Sequence, residues 1–225
     1  ELSKFINPRS GRFLESDVNK GGRRNAEIIN GKPTQALRIA TAGMLAGCMS
    51  PARPWFKLET PDKELLEYAP VTIWLEAVEL RMREVFRQSN LYGMASPFLR
   101  NLLLFGTAAM THVDNFENVA HFFTHPVGSF VIAQDENLQV RTFGRKFKQT
   151  CEQMMKDYGR ENCSEAVRNA YDRGNYDAWF DVVQIIMPNH DHVPDRGMST
   201  RKKFRSVTFE PGGSANDSKV LRDSG

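Results

Sequence analysis

The stretch LYGMASPFLRNLLLFGTAAMTHVDNFENVAHFFT, residues 91–124, changes its periodicity halfway along. Up to Phe105 the apolar residues Phe98, Leu99, Leu102 and Leu103 recur at spacings of three and four. This predicts a helix over Leu91–Phe105, ended by Gly106. From Thr107 the pattern becomes short runs rich in β-branched and aromatic residues: Thr107–Val113, Asn118–Thr124, Ser129–Ala133 and Leu138–Phe147. Asp114-Asn115, Pro126–Gly128 and Asp135–Asn137 punctuate them. An antiparallel meander following a helical part is expected, which makes the fold class α+β.

Toward the N-terminus, Trp74, Ala77, Val78, Met82, Val85 and Phe86 follow helical spacing, while Glu76, Glu79, Arg83 and Glu84 take the other faces. The pattern predicts an amphipathic helix of about five turns that pairs with Leu91–Phe105 as a helical hairpin. Another helix is expected over Pro33–Met49, with proline at its start and Leu37, Ala40, Met44, Leu45 and Cys48 on one face. Gly43 and Gly47 sit four apart on that face and predict close packing against another backbone. Pro51 and Pro54 then force Ser50–Phe56 into extended geometry, and Trp55 and Phe56 anchor it. An aromatic of ~150–250 Å² is worth about 4–6 kcal/mol of burial as an upper bound.

Toward the C-terminus, Gln149–Tyr158 and Ser164–Tyr171 read as short helices ended by Gly159 and Gly174. Ala178–Met187 reads as a strand broken by Pro188 and paired with Lys203–Phe209. The resulting divisions are an extended basic arm with short helical turns at 1–32, a helical part at 33–106, an α+β part at 107–210 and a polar loop at 211–225. The absence of an initiating Met at Glu1 and the polar end from Gly212 to Gly225 read as the edges of a longer protein.

Composition narrows the function classes. The chain has 225 residues and 40% hydrophobic side chains, enough for one large core or two small ones. Its 30 Lys and Arg against 27 Asp and Glu leave a net charge of +3, so charge alone does not define a nucleic-acid binder. The basic excess is local: residues 1–60 hold ten Lys and Arg against five Asp and Glu. Ile39–Ala52 is free of charge but shorter than the roughly 18 residues of a membrane span, and no signal segment follows Glu1. Cys48, Cys151 and Cys163 form neither a disulfide framework nor a metal knuckle.

Tests for chemistry return little. His121, His125, His190 and His192 are the sharpest metal candidates, with turn or surface histidines as the plainer reading. No Gly-x-Ser-x-Gly elbow, GxxxxGK[ST] loop or strand-linked GxGxxG is present, and Cys151 and Cys163 sit in helical patterns as small core residues. The chain is therefore expected not to be an enzyme and to need no cofactor. Two basic clusters remain, Arg23-Arg24 in the arm and Arg201, Lys202, Lys203 and Arg205 near the end. Each could meet phosphates or acidic protein, against the alternative of solvated faces. A four-residue patch supports weak, sequence-independent contact at most.

FLESDVNKGGRRNAEIINGKPTQALRIATAGMLAGCMSPARPWFKL, residues 13–58, resembles the portal, or head-to-tail connecting, proteins of short-tailed bacteriophages. Ala42–Phe56 is its most specific part, and the likeness continues in Leu99–Met110, His125–Thr150 and Trp179–His192. Gly43, Gly47, Pro51, Arg53, Pro54, Trp55, Phe56 and Gly106 are its structural signature. The resemblance implies an α+β portal wing-type domain, as a fragment of a longer ring-forming chain whose stem and clip lie beyond it. It implies a ring, usually of twelve copies, at one capsid vertex of the virion, assembled in the bacterial host cytoplasm. Double-stranded DNA would pass through it, without sequence preference, during packaging and ejection. The implied partners are the major capsid protein, the terminase large subunit, a tail adaptor protein and internal core or ejection proteins, with no membrane. A modest charge suits a conduit, since a strongly basic groove would brake sliding DNA. The alternatives are another virion adaptor or interaction protein, or a histidine-dependent metal hydrolase.

Overall fold

A computed structural model describes residues 2–8, 28–115, 117–190, 202–212 and 219–224. The chain divides into two compact units, Glu1–Val127 and Gly128–Gly225. The first holds α1 (Leu2–Ile6), α2 (Lys32–Cys48), α3 (Lys63–Glu67), α4 (Ala69–Gln88), α5 (Leu91–Phe105), β1 (Ala109–Asn115) and β2 (Val119–His125). The second holds β3 (Phe130–Gln134), β4 (Val140–Thr150), α6 (Cys151–Tyr158), α7 (Glu165–Asp172), β5 (Trp179–Pro188), β6 (Phe204–Glu210) and β7 (Lys219–Ser224). The α+β class holds.

In the first unit α5 is the central helix. Leu91, Ala95 and Leu99, spaced by one turn, are buried, and α5 ends where Gly106 adopts φ +72°, its N–H donating to the Leu102 carbonyl at 2.9 Å. Its main helical partner is α2, with a smaller contact to α4, so the expected α4–α5 hairpin is the lesser pairing. The packed side of α2 runs through Leu37, Thr41, Met44 and Leu45, while Ala40, Gly43, Gly47 and Cys48 are exposed. A Cβ placed on Gly43 or Gly47 would meet nothing within 4 Å. The expected close packing at the glycines is therefore not found among the described residues. Leu37, Met44 and Leu45 of the expected face do pack, while its small residues stay exposed.

The expected face of α4 is likewise buried only in part: Val78, Met82, Val85 and Phe86 are half-buried, and Ala77 is exposed. Leu75 and Glu79 are its buried residues, whereas Trp74 is 64% exposed. Glu79 and Arg83, placed on the solvated side from sequence, turn toward the protein and pair at 3.1 Å. Partial burial of an ionised residue is tolerated because its partner lies one turn away on the same helix.

β1 and β2 form a separate antiparallel pair and do not join β3 and β4, so the expected four-strand meander is two hairpins in different sheets. Pro126-Val127-Gly128, with Gly128 at φ +94°, separates them. The second unit is a five-stranded antiparallel sheet ordered β3-β4-β5-β6-β7. Strand β7 falls within the segment read as a polar loop. Leu221 is the only large apolar residue of its six that buries, too short a signal to register as a strand. Cys151, Met154, Cys163, Val167 and Val182 have 0% exposure and form the core with Leu221.

Local chemistry fixes the helical insertion between β4 and β5. Thr150 and Gln153 make a reciprocal capping box at the start of α6. Gly159 and Gly174, at φ +80° and +74°, follow the two helices. Arg160 grips Asp172 with two parallel hydrogen bonds of 2.7 and 2.8 Å. The buried Glu210 accepts from the backbone N–H of Ser164, the N-cap of α7, at 3.0 Å, tying the end of β6 to that helix.

Candidate functional site

The segment 50–57 leaves α2 and immediately joins three helices. The expected extended geometry fails at its start: residues 50–53 form a turn, with the Arg53 N–H donating to the Ser50 carbonyl at 3.4 Å, because the fixed φ of Pro51 suits a turn as well as an extended chain. The Arg53 guanidinium donates to the Ala46 carbonyl at 3.1 Å, in the last turn of α2. That placement satisfies a carbonyl at the negative end of the helix. Trp55 Nε1 donates to the Tyr92 hydroxyl of α5 at 3.1 Å, and its ring stacks on Phe86 of α4 at 6.1 Å. Phe56 meets both rings edge-on, at 4.8 and 5.8 Å, and Phe86 continues the cluster to Phe122 of β2. The expected aromatic anchor is present, half-buried rather than fully enclosed.

Beside it lies an open groove of about 600 Å³, lined by Gly47, Cys48, Arg53, Trp55, Lys57 and Glu79 among others. Its residues are structural in their bonding: Arg53 is held by Ala46, Lys57 pairs with Glu59 at 3.6 Å, and Glu79 with Arg83. Cys48 lines the groove as an exposed thiol.

Of the histidines, His121 and His125 make separate contacts within the first unit. His121 faces the Asn90 side chain at 3.4 Å, His125 is buried with Thr111 Oγ1 at 3.0 Å from Nε2, and His190 is exposed in the second unit. His192 lies outside the described residues. Among the described residues no group of three or more His, Cys, Asp or Glu is placed to hold a metal. Burial raises the thiol pKa of Cys151 and Cys163, and their Sγ atoms donate to the Val167 and Met154 carbonyls. These are protonated core groups rather than nucleophiles.

Of the basic candidates, Arg23, Arg24 and Arg201 lie outside the described residues. Lys202 and Lys203 are exposed, with Lys203 Nζ 6.0 Å from the Phe204 ring. Arg205 is engaged: its guanidinium binds the Asp223 carboxylate in bidentate fashion and holds that carboxyl below its usual range. The sequence could not reveal this pairing, because Asp223 reaches Arg205 only through β7. Among these described cations, Lys202 and Lys203 form the exposed pair.

Sequence reasoning passed over the polar residues that organise the first unit. The Asn90 side chain bonds both the N–H and the carbonyl of Phe122, Thr124 Oγ1 donates to the Met94 carbonyl at 2.7 Å, and Asn101 Nδ2 to the His125 carbonyl at 3.3 Å. The one available signal was an Asn within the buried spacing of α5, at Asn101.

Comparison with known proteins bears on the whole chain. The family described as bacteriophage head to tail connecting protein matches residues 1–225. The portal protein of Salmonella phage epsilon15 is 43% identical over 225 residues, and the probable portal protein of Bordetella phage BPP-1 is 38% identical over 225 residues. Each alignment takes in 100% of this chain and 40% of the relative's length.

Proposed function

This chain belongs to the bacteriophage head to tail connecting protein family, and on that premise we propose that it is the wing part of a portal subunit. In this reading, copies assemble as a ring of twelve at one vertex of the capsid. The ring conducts double-stranded DNA during packaging and ejection and supplies the attachment site for the tail. The observation that carries it is the identity of 43% to a portal protein along the entire chain. The alignment takes in the whole of this chain and 40% of the relative's length.

The physical features support a structural role. The signature residues Arg53, Trp55 and Phe56 tie their segment to three helices. The partners proposed are the major capsid protein, the terminase large subunit, a tail adaptor and internal core or ejection proteins, with the assembled protein located in the virion. The groove's charged residues Arg53, Lys57 and Glu79 each engage a neighbour, and a terminase partner would supply the packaging energy.

Particle mass and negative-stain imaging of the full-length protein test the reading. The expected result is a ring near twelvefold with a hole wide enough for a duplex of roughly 20 Å, whose two charged backbones set that width. A monomer that stays monomeric when co-expressed with its capsid protein would overturn it.

A further inference from the structure

The sheet of the second unit ends in β3 on one side and β7 on the other, and among the described residues no strand pairs with the outer edge of either. β3 reads Phe-Val-Ile-Ala-Gln, without charge or proline, and every residue after Phe130 is exposed. Its single irregularity falls at the end, between Ala133 and Gln134. Uncovered apolar edges of this kind recruit another strand, which is why isolated domains blunt them with lysine, proline or a covering segment.

The hydrogen-bond phase of the edge is defined. Lys146 N–H donates to the Ser129 carbonyl at 3.2 Å, so in the alternating ladder Ser129, Val131 and Ala133 face β4. The N–H and carbonyl of Phe130 and Ile132 therefore point away from the sheet. The end of the strand is held rigid: the Asp135 carboxylate accepts from the N–H groups of Asn137 and Gln139, both at 2.9 Å, and from Arg141. A pre-ordered edge loses little freedom on pairing.

Side chains identify the mate. Cross-strand partners run Val131, Gly144, Ile185, Val207 in one row and Lys146, Val183, Phe209, Val220 in the next but one. Val131 and Val220 thus lie on the same face at opposite edges, 56% and 54% exposed. Five strands, each antiparallel to its neighbour, leave β3 and β7 running in the same direction. A second copy continuing the sheet places its β7 parallel to β3, with the two valines side by side.

We propose that the outer edge of β3 pairs with β7 of a second copy, so that one sheet continues from subunit to subunit. The proposal rests on the ring reading, because a contact between two different surfaces, repeated by rotation, closes into a ring. It adds the elements that meet and their sense.

The experiment uses the full-length protein. Ile132→Pro removes an outward N–H and leaves the β3–β4 ladder in place. With folding checked by circular dichroism, it is expected to abolish rings that the unaltered protein forms. In a Cys48→Ser background, Val131→Cys combined with Val220→Cys is expected to give a ladder of disulfide-linked oligomers on oxidation, and neither cysteine alone to do so. Rings from Ile132→Pro in undiminished yield would overturn the edge pairing and leave the ring reading standing. Cross-linking by Val131→Cys alone would overturn it in favour of a two-fold β3–β3 contact. If Ile132→Pro fails to fold, the cysteine pair decides, and absence of a ladder from rings overturns the proposal. If the unaltered protein forms no ring with its capsid protein, the ring reading and this inference fall together.

Discussion

The side-chain amide of Asn90 lies against the backbone of Phe122 as the peptide group of a third strand would. It donates to the carbonyl and accepts from the N–H, both at 2.8 Å. Asn90 stands at the N-cap of α5, so the bend between two helices closes one edge of a two-stranded sheet. A pair of strands alone is marginal in water, and here helix-borne amide and hydroxyl groups supply part of the missing neighbour.

Asn90→Ala is expected to lower stability by about 2 kcal/mol, since two backbone groups of a half-buried strand lose their partner. Asn90→Asp keeps the acceptor but sets a carboxylate against the Phe122 carbonyl, and should cost at least as much. Urea unfolding monitored by circular dichroism checks both, and an unchanged midpoint for Asn90→Ala would show that water replaces the amide without penalty.

Trp55→Ala removes the ring that joins α4 and α5 and is expected to cost about 3 kcal/mol, the low end for aromatic truncation because the site is half-buried. Trp55→Phe keeps most of the stacking and loses the bond to Tyr92, at about 1 kcal/mol. Thermal melts of the two variants should separate the ring from its N–H.

Gly43→Ala should leave this chain unharmed or raise its stability by about 0.5–1 kcal/mol, the usual gain in a helix interior, because a Cβ there meets open space. Gly43→Leu should also fold. A marked loss of melting temperature in the isolated chain would contradict the outward placement of the glycine face.

Thiol labelling should divide the cysteines. Cys48 is exposed, while Cys151 and Cys163 are buried with raised pKa values. A thiol reagent at pH 8 is expected to modify Cys48 rapidly in the native chain and all three after denaturation. Rapid native labelling of Cys151 would show that the core of the second unit opens readily.

Acid should weaken the second unit. The Gln139 N–H chiefly holds the Asp135 carboxyl low, Arg160 that of Asp172, and Arg205 that of Asp223. A carboxylate depressed on folding contributes above its unfolded pKa of about 3.9, and that contribution disappears as pH falls through the folded value. The melting temperature should therefore decline below about pH 4, with a shallower decline for Asp172→Asn. An identical acid limb in that variant would show that the exposed Arg160 clamp adds nothing measurable.

Much of this architecture was legible because it is written locally. The change of period at Gly106 marked both the end of α5 and the start of strands, and glycines at 159 and 174 marked two helix ends. Which face of a helix is buried was less legible. In α4, Trp74 is exposed while the charged Glu79 turns inward, an outcome set by what packs alongside. Likewise no local feature of Arg205 announces Asp223, and nothing around residue 221 announces a strand held by one buried leucine. Recognition of the signature at 42–56 needed only the residues themselves; the partners of those residues needed the fold.

Gly144 supplies a consequence for assembly. It is the buried position of β4 opposite Val131, and a Cβ there would come within 3.1 Å of Val131 Cγ2. The valine is a key in a notch: slipped by two residues, it would face Thr142 or Lys146, each with a side chain already in the way. The notch therefore fixes the height of β3 in its own sheet. In a ring joined edge to edge, that height sets the pitch from one subunit to the next. A slip of two residues, about 7 Å at each junction, would turn such a closed circle into an open spiral, and the missing methyl of one glycine would hold the pitch at zero.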